Sequence, residues 1–105
     1  MGRIVIVAYR PKSGREADLE ALVRAHVPKL QALGLATQRT PVVMRAADGT
    51  TVEVFEWSSP GAIEQAHANA EVQAMWADFA EACDYLPIAE VPEAARLFSE
   101  FEALD

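Results

Sequence analysis

The sequence predicts an α+β domain of order β-α-β-β-α-β, and three observations predict it. The chain opens on "RIVIVAY" at 3–9, a β-branched run that is apolar on both faces. A long helical stripe of apolar residues follows. The Asp-Gly of "ADGT" then separates two runs of strand composition, ahead of a Ser-Pro helix start. This order is the split βαβ pattern of a ferredoxin-like sandwich, in which the right-handed crossover sets two antiparallel helices on one face of the sheet.

Each element has its own signals. In "PKSGRE", Ser13 and Glu16 have capping-box spacing, so the first helix is expected to start there. At about 100° per residue, Leu19, Leu22, Val23, Leu30 and Leu33 form one stripe with His26 near its middle. Pro28 falls on the opposite, wet face, and Gly34 stops the helix. A second strand is expected over 36–46, with Pro41 marking an edge or a bulge, and "TVEVFEW" is the third strand. Ser59 caps the next helix with Pro60 at its first position. That helix has a phase conflict. Ile63, Ala66, His67 and Ala70 share one side, whereas Val72, Trp76, Phe79 and Cys83 share the opposite one, so a break is expected near Asn69 to Glu71. "PEAAR" reads as one helical turn and "LFSEFEAL" as the final strand.

With 105 residues the chain is expected to be a single domain, 1–105. Sixteen acids against nine bases give a net charge of −7, which argues against nucleic acid or an anionic membrane as partner. Six consecutive apolar residues near the start are too few for a secretion signal or a membrane span, and "MGRIVI" lacks the hydroxyl residue of a myristoylation site. The lone Cys83 can form no internal disulfide, and the expectation is a cytoplasmic domain. Strand one is apolar on both faces and strand three has no fully polar face. A second copy packed sheet to sheet, a homodimer, is the simplest cover.

The candidate site follows from topology. His26 lies two thirds along the first helix and His67 one third along the second, and antiparallel packing brings these heights together near the Trp57 end of strand three. A partly apolar cleft shared by His26, His67, Phe55 and Trp57 is therefore expected, with neutral imidazoles suited to accepting a proton. The other reading makes each histidine a core or rim residue satisfied by a nearby carbonyl or carboxylate. Tyr9 and Tyr85 are hydrogen-bond donors for a ligand or strand-end packing residues. Two histidines without a third convergent ligand make a poor metal site, and no nucleophile elbow or phosphate-binding glycine loop is present. Arg45 and Glu53 are expected to pair across the hairpin. Met75, Trp76 and Phe79 are expected to pack in the core or at an interface.

The layout, together with "FEWSSPGAIEQAHANAEVQAMW", resembles the dimeric α/β-barrel superfamily, and within it the antibiotic-biosynthesis-monooxygenase-like small proteins. The topological likeness covers nearly the whole chain; at sequence level it rests on residues 53–76. His67 is similar to that family's first helix histidine and Trp57 to its strand-end aromatic. The resemblance implies a homodimer with a helix–sheet cleft in each subunit, and cofactor-free oxygenation of a small aromatic or polycyclic substrate. His67 would then be the base, His26 or Tyr9 a hydrogen-bonding partner, and Phe55 and Trp57 the walls. Two departures stand out. Many members carry a further histidine where this chain has Val72, and the haem-degrading branch has an asparagine where this chain reads Ile4 to Val7. Haem chemistry is disfavoured and no cofactor is expected. The alternatives are a non-catalytic small-molecule-binding dimer and a purely structural one.

Overall fold

The computed structural model describes residues 1–104. Five strands form one antiparallel sheet: β1 (Arg3–Pro11), β2 (Val42–Arg45), β3 (Thr51–Trp57), β4 (Cys83–Leu86) and β5 (Glu102–Ala103), in the order β4-β1-β3-β2-β5. Three helices accompany them: α1 (Glu16–Ala32), α2 (Pro60–Ala68) and α3 (Ala70–Ala82). No helix is long and apolar enough to cross a membrane among the described residues.

β1 is an interior strand, flanked by β4 and β3. It pairs with β3 from Arg3↔Trp57 to Tyr9↔Thr51, and with β4 from Ala8↔Leu86 to Pro11↔Cys83. The period of two in a strand sends Val5, Val7 and Tyr9 toward the helices, beside Phe55, Glu53 and Thr51. Ile4, Ile6 and Ala8 point to the other face. On the helix side, Val27, Leu30, Phe55, Trp57, Ala66 and Val72 make one buried cluster; Tyr9, Leu19, Val23, Phe79 and Cys83 make a second.

The far face is covered at one end only. Two 3-10 turns, Ile88–Glu90 and Pro92–Ala95, lay Val91 over Ala8, Ala46 and Val52. At the other end Ile4, Ile6 and Val42 remain 55%, 51% and 50% exposed.

The break between α2 and α3 falls at Asn69, as the phase conflict requires. Its backbone is extended, with φ −89° and ψ 124°, and its side-chain oxygen accepts from the Glu71 and Val72 amides at 2.9 and 3.1 Å. Ala62 and Ala66 of α2 and Val72 and Phe79 of α3 can then all be buried against one sheet. Ser59 caps α2 through a bond from the Ala62 amide, with Pro60 in the first turn. Pro28 lies on the exposed side of α1, which runs through it.

Four expectations are corrected. Ser13 does not cap α1, because the Arg15 amide donates to the Lys12 carbonyl and closes a turn around Gly14, whose φ is +78°. The helix starts beyond that turn, and its N-cap residue, Arg15, makes no side-chain capping bond. The second strand is interrupted: Ala36 bridges Trp57, and pairing resumes only at Val42, after Pro41, which has no N–H to give to a ladder. The strand that completes the split βαβ unit is Cys83–Leu86 and not 97–104. Of the latter span, only Glu102–Ala103 is a strand, at the β2 edge. Arg45 pairs with Glu102 at 3.4 Å, so Glu53 is left for other partners.

Asn69→Ala removes an oxygen that satisfies two amides at the start of α3. It should cost on the order of 1 kcal/mol, seen as a melting temperature about 4–8 °C lower. An unchanged melting temperature would contradict the capping role.

Candidate functional site

The site begins with an acid on the wrong face of a strand. Glu53 occupies the middle of β3, between Val7 and Val43, on the side it shares with Thr51, Phe55 and Trp57. It is 0% exposed. A carboxylate so placed must find donors inside the protein, and it finds two. The Tyr9 hydroxyl donates to Glu53 Oε1 at 2.8 Å, and His26 Nδ1 lies 2.8 Å from the same oxygen. The other oxygen, Oε2, has no partner among the described residues.

His26 comes from α1, on the buried stripe that also carries Leu19, Val23 and Leu30. Its ring meets Phe55 and Phe79 edge to face, with centroids 5.5 and 5.1 Å away. Its second nitrogen, Nε2, receives the indole N–H of Trp76 at 3.0 Å. An indole nitrogen is a donor only, so Nε2 holds a lone pair and the ring proton sits on Nδ1. The network therefore assigns a neutral His26 that donates to Glu53 through Nδ1 and accepts from Trp76 through Nε2.

His67 is near the end of α2 and is exposed. Its Nδ1 is 2.8 Å from the Ile63 carbonyl, which can only accept, so Nδ1 carries a proton there as well. Nε2 of His67 has no protein partner among the described residues. The ring stands edge-on to Trp76, with centroids 5.1 Å apart. Trp76 is thus the shared wall between the two histidines.

These side chains line one cavity of about 560 Å3, within the range typical of small-ligand sites. Its floor is Tyr9, His26, Phe55, Trp57 and Phe79, all buried; exposed His67, Gln73, Ala77 and Tyr85 stand at its mouth. Val5, Val7 and Trp76 complete the wall, and no Lys, Arg, Asp or Glu takes part. Gln73 is held by a 2.6 Å bond from its side-chain nitrogen to the His67 carbonyl. The arrangement can enclose a flat apolar molecule and offer it a basic imidazole nitrogen at the rim.

All five residues expected at a site, His26, His67, Tyr9, Phe55 and Trp57, line this cavity. The sequence reading missed Glu53 and gave Trp76 to packing. The signal for Glu53 was present: it alternates with Phe55 and Trp57 on the buried face, so it needed an internal donor. No group of three His, Cys, Asp or Glu is placed to hold a metal ion among the described residues. No family model, curated protein or solved structure matches this chain.

Burial pushes the Tyr9 hydroxyl well above its ordinary value of 10.0, reinforced by the Glu53 charge. Burial likewise raises Cys83 to about 11 from an ordinary 9.0, and partial burial raises Tyr85, which remains about half exposed, to about 12. Such groups keep their protons longer in the fold than in the unfolded chain, which ionises first as pH rises. Stability should therefore be intact below the ordinary values and fall as pH climbs from 9.0 toward about 12. In Tyr9→Phe the decline above pH 10.0 should be shallower. Denaturant midpoints across this range provide the check; a flat profile contradicts the assignment.

Proposed function

We propose that the cavity binds a small, uncharged aromatic or polycyclic molecule and that the protein is a cofactor-independent monooxygenase. The observation that carries this reading is the unpartnered Nε2 of His67 at the mouth of an aromatic-walled cavity. In this reading His67 removes the proton of a phenolic substrate. The resulting anion, shielded by Phe55, Trp57 and Trp76, carries its charge onto a ring CH para to the oxygen. That carbon bonds to dioxygen, and the peroxide anion takes back the proton held by His67. A hydroperoxide forms there and loses water, leaving a carbonyl. One oxygen atom enters the product; the other leaves as water, reduced by electrons from the substrate itself. Tyr9 and His26, held by Glu53, shape the closed end.

The exposed end of the far sheet face supports a homodimer. Ile4 and Ile6 on β1 and Val42 on β2 are each about half exposed, on either side of Val54 of β3, with Leu97 and Phe98 also exposed. An apolar strip of this kind favours a second copy of the same surface about a two-fold axis.

One observation favours a second reading, a binding protein without catalysis. Both nitrogens of His26 and the hydroxyl of Tyr9 are already bonded inside the protein, so most polar groups of the cavity are spoken for.

Oxygen uptake and product mass with hydroxylated naphthalenes and anthrones separate the two. The oxygenase reading expects turnover that falls about 10²–10⁴-fold in His67→Ala, the range for loss of a general base. Stabilisation of the fold by these compounds with no oxygen uptake would establish the binding reading instead. Independently, wild type should have a dimeric mass at micromolar concentration and Ile6→Asp a monomeric one. A monomeric wild type contradicts the sheet-to-sheet assembly.

A further inference from the structure

The hydrogen bonds that link Tyr9, Glu53, His26 and Trp76 at the closed end of the cleft run in one direction, toward Glu53 and toward His26 Nε2. Glu53 Oε1 accepts twice, from Tyr9 and from His26 Nδ1. His26 Nε2 is left as a lone pair, and its present donor is the Trp76 indole, which cannot accept. Trp76 is half-buried and belongs to the cavity wall. Glu53 stands fully buried behind His26, with Oε2 unpartnered among the described residues. A core that needed only packing would be served as well by apolar residues of similar shape in place of this polar cluster. What the carboxylate does, and an apolar side chain cannot, is hold the proton on Nδ1 and turn a lone pair toward the cleft.

We infer that Glu53 is a positioning residue that locks His26 as a hydrogen-bond acceptor, and that the closed end of the cleft therefore selects ligands carrying a hydroxyl donor, which replace the Trp76 indole N–H on His26 Nε2. This rests on the reading of the cavity as a small-aromatic site and adds which end of the ligand goes in first: the donor hydroxyl at His26, with the group that His67 would deprotonate at the opposite end. An ether, carbonyl or carboxylate oxygen would set lone pair against lone pair at Nε2. An anion would also find no Lys or Arg in the lining.

Trp76→Phe keeps an aromatic wall and deletes the competing donor. The test measures dissociation constants of naphthol and its methyl ether for wild type and Trp76→Phe, alongside the imidazole nitrogen NMR spectrum of His26. In Trp76→Phe, naphthol should be preferred over the ether by about tenfold, the worth of one hydrogen bond, with a smaller preference in wild type. The spectrum should show a protonated Nδ1 and a bare Nε2. With Trp76→Phe already in place, adding Glu53→Gln, whose amide oxygen still accepts, should keep that tautomer, and adding Glu53→Leu should lose it. The probe comparison in Trp76→Phe does not depend on Glu53→Leu folding. Equal binding of the two probes to Trp76→Phe overturns the inference while leaving the cavity an aromatic site, and a wild-type His26 protonated on Nε2 overturns it too. If neither probe binds either protein, the aromatic-site reading falls and the inference falls with it.

Discussion

The arrangement of the cleft depends on one buried carboxylate. Removing an ionised group from water costs several kcal/mol even after relaxation, and Glu53 has no solvent contact. Two hydrogen bonds to a charged acceptor, each worth about 1.5–3 kcal/mol, offset much of that and leave Oε2 uncompensated. The same bonds tie three elements together: β3 supplies the acceptor, β1 the Tyr9 hydroxyl and α1 the His26 ring. The bond from Trp76 adds α3. The floor of the cavity is therefore set by polar geometry as well as by packing, and its residues have little freedom to rearrange independently.

The helix break at Asn69 is the second requirement. On one continuous cylinder, the residues around Ala66 and those around Val72 and Phe79 would face opposite ways. The extended Asn69 lets α2 and α3 each bury its own stripe. It also leaves His67 at the end of α2, beside Trp76 from the second turn of α3. The break thus shapes the mouth of the cavity, while Glu53 organises its floor.

Much of the fold was legible because its signals are local. The β-branched run of β1, the Asp48-Gly49 turn, the Ser59-Pro60 start and the phase conflict each lie within a few residues of the feature they specify. What failed depended on long-range competition. The backbone turn from Lys12 to Arg15 displaced the Ser13 cap, and Cys83–Leu86 took the place beside β1 that was expected for 97–104. A four-residue strand flanked by a helix end and Pro87 has too short a pattern to announce itself. At the site, shared height along antiparallel helices sufficed to bring His26 and His67 to one cavity. The partner of Glu53 was misread because Arg45 is its near neighbour across the hairpin. Its real partners, Tyr9 and His26, are 44 and 27 residues away.

If a charged Glu53 is the hub of the site, a double-mutant cycle of Tyr9→Phe and Glu53→Gln, read by denaturant unfolding, will reveal it. A hydroxyl donating to a carboxylate is worth more than the same hydroxyl donating to an amide, so the two substitutions should be non-additive by about 1 kcal/mol. Additivity to within about 0.5 kcal/mol would mean that Tyr9 does not respond to the charge on Glu53, and the hub would be contradicted.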